Sequence, residues 1–150
     1  MASDQGSGFH ELLGRVADLM TRSDNYCQYP IACLAIWIKP AILLKQIHLF
    51  QDVSGKDIGY MTWARLAPDT EARLLDDPDV LFHVTEWNEG EHLWIMDFVC
   101  VNRDARRQIL RAADLFPNDR CAKSLRRHYD GSLKSTFKWN LERMRGFRNV

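Results

Sequence analysis

A chain of 150 residues, 46% hydrophobic and 27% charged, with twenty basic against twenty acidic side chains, has the composition of one ordinary soluble domain and excludes a largely disordered protein. At this size roughly 70% of the surface exposed by the unfolded chain is buried on folding, enough for a core without disulfides or metal. The longest apolar run, Ile31 to Ile38, is far below the roughly 20 residues that cross a bilayer, and residues 1–8 hold no basic segment leading into an apolar stretch, so the expectation is a cytoplasmic protein with no membrane span.

Residues 1–8 are rich in Gly and Ser and read as a flexible N-terminus, with 9–150 forming a single domain. From Phe9 to Thr21, Leu12, Leu13, Val16, Leu19 and Met20 recur at three- and four-residue spacing, the pattern of a helix with one apolar face. Ser23 to Tyr29 is a polar loop ending at Pro30. Ile31 to Ile38 is apolar on every side, closed by Lys39 and Pro40, and fits either a buried helical turn or a buried strand. Lys45 to Gln51 and Ile58 to Leu66, separated by Ser54, Gly55 and Lys56, predict a hairpin.

Pro68 opens a short helix through Leu75, with Asp69 and Glu71 in the first turn, where negative charge suits the helix dipole. His92 to Val101 reads as a buried central strand holding one acid, Asp97. Arg103 to Phe116 reads as a basic amphipathic helix with Ile109, Leu110, Ala113 and Phe116 inward. Cys121 to Tyr129 and Leu133 to Trp139 flank an Asp130-Gly131 turn and predict a second hairpin. This order predicts a mixed α/β chain of the α+β type, a mostly antiparallel sheet with helices packed against it.

Net neutrality hides an asymmetry: residues 1–100 hold 7 basic and 15 acidic side chains, residues 101–150 hold 13 and 5. A basic third is either a solvated face or a surface for an acidic partner. No helix-turn-helix, zinc-finger or RNP-like pattern accompanies the charge, so nucleic acid is not the expected partner. Cys27, Cys33, Cys100 and Cys121 form no CxxC pair, and no structural metal is expected.

Asp97 is the sharpest chemical signal, because a carboxylate among bulky apolar residues on a central strand is costly to bury unless compensated. It either faces solvent or pairs with an arginine, or else it serves a catalytic partner with a pKa set by the site. The five histidines are scattered without metal-ligand spacing, and no nucleophile elbow, P-loop or GxGxxG is present.

The segments LLGRVADLM (Leu12 to Met20), Ser23 to Pro30, LAIWIKPAI (Leu34 to Ile42), GYMTWARL (Gly59 to Leu66) and EGEHLWIMDFVC (Glu89 to Cys100), in this order and spacing, resemble the toxin-activating lysine acyltransferases that mature RTX haemolysins and cytolysins. That resemblance implies a Gcn5-like acetyltransferase (GNAT-like) fold and a cytoplasmic enzyme, often a homodimer. Its acyl donor is acyl carrier protein bearing a phosphopantetheine thioester, with no bound cofactor. Its acceptor is an internal lysine of an RTX protoxin, acylated to permit cytolysis. Its essential acid falls on Asp97, and its serine-tryptophan pair on Thr62 and Trp63.

In the family's loop a serine is followed three residues later by the catalytic histidine; here Ser23 is followed by Tyr26. Phenol, with a pKa of about 10, is a poor base for a lysine ammonium at neutral pH. Tyr26 with a depressed pKa, Asp97 or a histidine brought near by folding, a nearly inactive binding protein, and Cys27 as an acyl-accepting nucleophile all stay open. Because acyl carrier protein is acidic, Arg103, Arg106, Arg107 and Arg111 are its candidate docking residues. A coenzyme A-dependent reading has less support, since Val101 to Arg107 holds no glycine-rich pyrophosphate loop.

Overall fold

A computed structural model of the chain describes residues 3–128 and 132–147. Along them run α1 (Ser3–Thr21), a π-helical turn (Leu34–Ile38) leading into α2 (Lys39–Leu43), β1 (Ile47–Gln51), β2 (Asp57–Leu66), α3 (Pro68–Asp76), β3 (His92–Cys100), α4 (Ala105–Ala112), β4 (Cys121–Arg127), β5 (Leu133–Asn140) and α5 (Leu141–Gly146). The strands form one sheet in the order β1-β2-β3-β4-β5. β1 pairs antiparallel with β2 and β4 with β5, while β3 meets β4 in parallel through Trp94–Lys123 and Ile95–Ser124. Main-chain bonds from Val101 to Ile58 (2.9 Å) and from Gly90 to Arg65 (3.0 Å) run in the opposed sense that antiparallel strands require. The mixed, mostly antiparallel sheet with flanking helices is the expected class and fits a GNAT-like fold.

By packing, the chain divides into two compact units, residues 1–62 with 97–103 and residues 63–96 with 104–150, with β2 and β3 passing from one into the other. In the first, Val16, Leu19 and Met20 of α1 pack with Ile38, Ile42 and Tyr60, the face that the heptad-like spacing of the sequence marks. α1 begins at Ser3 rather than Phe9, and His10 Nδ1 lies 2.7 Å from the Gly6 carbonyl one turn back. The first hairpin turns at Gly55, whose φ of +86° lies in the left-handed region that favours glycine, while the Asp52 carboxylate accepts from the Ser54 and Lys56 amides.

Two expectations are corrected in this unit. Lys39 and Pro40 do not close the apolar run: the Lys39 amide bonds back to the Leu34 carbonyl in the wider π-helical turn, and Pro40 follows directly in the first turn of α2, so the helical backbone continues to Leu43. The run is also not buried throughout, since Ile31 is 83% exposed while Ile38 is buried. A helical rather than extended backbone explains this, as one side of a helix faces out.

In the second unit α3 spans Pro68–Asp76, near its predicted bounds. α4 is shorter than predicted, and its buried positions are Gln108 and Ala112, followed by Ala113 and Phe116, with Ile109 and Leu110 only half-buried. Gly90 lies so close to Leu66 that a Cβ there would come within 2.1 Å of its carbonyl, a contact only glycine permits. The strands of the second hairpin form as expected, but Asp130 and Gly131 of its predicted turn lie outside the described residues.

Candidate functional site

The loop after α1 is built around Ser23. Its Oγ accepts from the Tyr26 amide at 3.4 Å and its carbonyl from the Cys27 amide at 3.0 Å, closing a turn that continues as a 3-10 turn over Tyr26–Gln28. From this turn the Tyr26 hydroxyl donates to Asp97 Oδ1 at 2.7 Å, joining residues 71 positions apart. The other carboxylate oxygen accepts from Thr62 Oγ1 at 3.3 Å. Strand alternation places Tyr60 on the same side of β2 as Thr62, and the Tyr60 ring meets the Tyr26 ring edge-on with centroids 6.4 Å apart. Beside this cluster lies a cavity of about 20 Å³, space for about one water molecule, lined by Tyr26 and Asp97 together with Met20, Tyr29, Cys33, Trp37 and Ile38.

Asp97 is thus compensated by two neutral hydroxyl donors. Among the described residues no arginine or lysine pairs with it, which overturns the ion-pair alternative. Burial raises its pKa above the ordinary carboxylate value, and the bonds from Tyr26 and Thr62 only partly offset this. Tyr26 moves further from usefulness as a base: burial first, then the negative charge of Asp97, push the phenol well above its ordinary value. These surroundings raise rather than depress the Tyr26 pKa and so work against it as a base at neutral pH. Burial likewise raises the Cys33 thiol, keeping it protonated.

His48, on β1, has its pKa lowered by burial and lies edge-on to Phe50, and among the described residues no histidine bonds to Tyr26, Thr62 or Asp97. Cys27 is exposed, with its thiol toward the Asp24 carbonyl.

Of the other predicted residues, Ser23 and Thr62 join the cluster. Trp63 alternates to the other side of β2 and packs edge-on against Phe116, 5.1 Å between centroids, in the second unit. Arg103, Arg106 and Arg107 are exposed, with Arg107 3.9 Å from Asp104. Sequence reading missed Tyr60, fully buried with a hydroxyl that has no hydrogen-bond partner among the described residues. Its two-residue spacing from Thr62 was the available signal. Trp37 and Cys33 were missed because their run could not be assigned to a helix from periodicity.

The sequence profile of the RTX toxin acyltransferase family matches residues 7–138. The chain belongs to this family. It is 29% identical over 123 residues to an uncharacterized protein of Synechocystis, covering 81% of this chain and 82% of that one. With the RTX-I toxin-activating lysine-acyltransferase ApxIC of Actinobacillus pleuropneumoniae it shares 33% identity over 113 residues, 75% of this chain and 64% of the relative. With the protein-lysine myristoyltransferase RtxC of Kingella kingae it shares 32% over 88 residues, 58% and 51% of the two chains. The chain therefore spans between about half and two thirds of these two named acyltransferases, and a larger share of the Synechocystis protein. Among the described residues no helix is long and apolar enough to cross a membrane.

Proposed function

We propose that this family member is a protein-lysine acyltransferase, moving a fatty acyl group from the thioester of acyl carrier protein to the ε-amino group of a lysine in an RTX protoxin or a related protein, in the cytoplasm. The observation that carries this reading is the 2.7 Å bond between Tyr26 and Asp97, both of which line a small pocket, joining the loop before the first proline to the central strand's acid.

Asp97 takes the proton that the lysine ammonium must lose. Its raised pKa makes it a stronger base than an ordinary carboxylate, and the neutral amine then attacks the thioester carbonyl. A C–N bond forms, the C–S bond breaks, and the departing thiolate is protonated from the tetrahedral intermediate's nitrogen, leaving amide and free thiol. Tyr26 stays protonated and holds one oxygen of Asp97, and Thr62 the other, so the carboxylate is a positioned base. A cavity of about 20 Å³ holds about one water molecule and no fatty tail, so in this reading the acyl tail lies outside it.

A second reading, a non-catalytic relative that binds acyl carrier protein or a lysine-bearing segment, is favoured by one fact: Tyr26 occupies the histidine position and its environment keeps it protonated. Incubation with acyl carrier protein charged with fatty acids of several lengths and with lysine-bearing protein substrates, read by mass spectrometry, separates the two. Acyl mass on lysine from the natural chain, lost in Asp97→Ala, supports transfer. Acyl mass appearing only after Tyr26→His makes binding the natural role.

A further inference from the structure

We infer that the outer edge of β5 is a docking site for an acidic, extended polypeptide segment, which adds to the sheet as a further strand. This deepens the protein-acceptor side of the reading above but is tested by binding, so it fails or stands whether or not acyl transfer occurs.

Among the described residues β5 ends the sheet order, with β4 on one side only, so its other edge offers main-chain N–H and C=O groups to a partner. Unlike a typical edge, it is long, eight residues over Leu133–Asn140, with six of them exposed. The charge on the ribbon has one sign. β4 and β5 together carry Lys123, Arg126, Arg127, Lys134 and Lys138, and no Asp or Glu within either strand. Lys123 is spoken for by Glu71 at 3.0 Å, whereas Arg126, Lys134 and Lys138 have no carboxylate partner among the described residues. Register sets Lys123 opposite Lys138, so with Lys123 paired to Glu71 it is Lys138 that carries unpaired charge on that side, and Ser124 opposite Phe137, so Arg126 shares the other side with that ring.

The Arg126 guanidinium lies 5.4 Å from the Phe137 centroid, and that ring is 47% exposed. A stacked Arg-aromatic pair in the open is the residue chemistry that anchors protein interfaces.

The arrangement also selects among occupants. Lysines on an edge block pairing with a neutral or basic strand. A second copy of this chain pairing β5 against β5 about a two-fold axis would set these same cations against one another. A segment with carboxylates at alternate positions meets neither obstacle. The register shift between Arg126 and Arg127 disturbs only the β5 end near Leu133, leaving Ser135 to Asn140 regular.

The test uses the full chain and a fluorescent twelve-residue peptide of alternating Glu and Thr, measured by anisotropy, with hydrogen exchange of the amides in 134–140 followed in parallel. Saturable binding with slowed exchange along β5 is expected, weakened about tenfold by Lys134→Glu with Lys138→Glu and about threefold by the milder Lys134→Gln with Lys138→Gln. Both positions are exposed, and unchanged circular dichroism confirms folding. Equal binding of a peptide of the same charge with two prolines in its centre would show charge attraction without strand addition and overturn the proposal. Tighter binding of a single-stranded oligonucleotide of equal charge, or self-association abolished by the same substitutions, would overturn it in favour of nucleic acid or of a second copy. Absence of peptide binding at millimolar concentration overturns it outright.

Discussion

Tyr26 and Asp97 share one short hydrogen bond, and what each contributes depends on which of them keeps the proton. Burial raises both, but a phenol starts from about 10 and a carboxylate from about 4, so the proton rests on Tyr26 and the negative charge, when present, on Asp97. The bond from Tyr26 lowers the pKa of Asp97, so Tyr26→Phe removes that stabilisation and raises the pKa of Asp97 further. In an acyl-transfer assay the acidic limb of the pH–rate profile should therefore move to higher pH in Tyr26→Phe, with rate at high pH largely retained. A profile that does not move removes Tyr26 from the positioning of the base.

The same raised pKa has a cost in stability. An acid whose folded pKa lies above its unfolded one makes the fold less stable as pH climbs from the unfolded value to the folded one, and the loss then stays constant. Asp97→Asn, which keeps an oxygen for Tyr26, is expected to stabilise the protein by about 1 kcal/mol at pH 7, about 3 °C in Tm, while abolishing transfer. The gain should shrink as pH falls toward 4, measured by thermal unfolding at several pH values. A destabilised Asp97→Asn at neutral pH would contradict the environment assigned to the carboxylate.

At the scale of elements, α3 is tied to the sheet through one carboxylate. Glu71 accepts from Trp94 Nε1 at 2.7 Å, His92 Nδ1 at 2.8 Å and Lys123 Nζ at 3.0 Å, linking α3 to β3 and β4. Burial acts to raise its pKa, but the bonds from Trp94 and Lys123 outweigh that and hold it below the ordinary value. Its contribution is therefore present above the unfolded carboxylate pKa and lost as pH falls through the lower folded one. Glu71→Ala strands the indole N–H of the buried Trp94 and should cost about 1 to 3 kcal/mol in denaturant unfolding, more than Glu71→Gln, which keeps an acceptor.

Sequence reading placed Glu71 only as a favourable charge in the first turn of a helix, because periodicity says which face of an element is apolar and not which strand it lands on. For the same reason α1, β2, α3 and β3 were legible from spacing, whereas Ile31 to Ile38, apolar at every position, fitted a strand as well as a helix. Asp97 could be singled out because it breaks an apolar run. Tyr26 entered through the family's loop pattern, and its bond to Asp97, across 71 residues, is a product of topology that no local pattern contains.

Across the whole molecule, charge is segregated along the chain, with the acidic excess in residues 1–100 and an equal basic excess in 101–150. Within that basic third, the β4–β5 ribbon and α4 are surfaces of different kinds. The ribbon combines cations with an open strand edge, whereas α4 presents Arg106, Arg107 and Arg111 on a helix exposed to solvent, with Arg103 just before it, and has no edge to offer. Under the proposed function, a helix surface of this sort suits the folded acidic donor, acyl carrier protein, held by long-range attraction without strand exchange. Charge reversal by Arg106→Glu with Arg107→Glu should raise KM for acyl carrier protein thioester about tenfold at low salt and leave kcat nearly unchanged, because these residues touch no reacting atom. The difference from the natural chain should narrow as ionic strength rises past about 0.15 M, where screening extends over only about 8 Å. Binding of the acidic peptide along β5 should be unaffected by the same pair. If that pair instead weakens peptide binding as much as donor binding, the two surfaces act as one diffuse basic patch, and the assignment of donor to α4 and acceptor to β5 fails together.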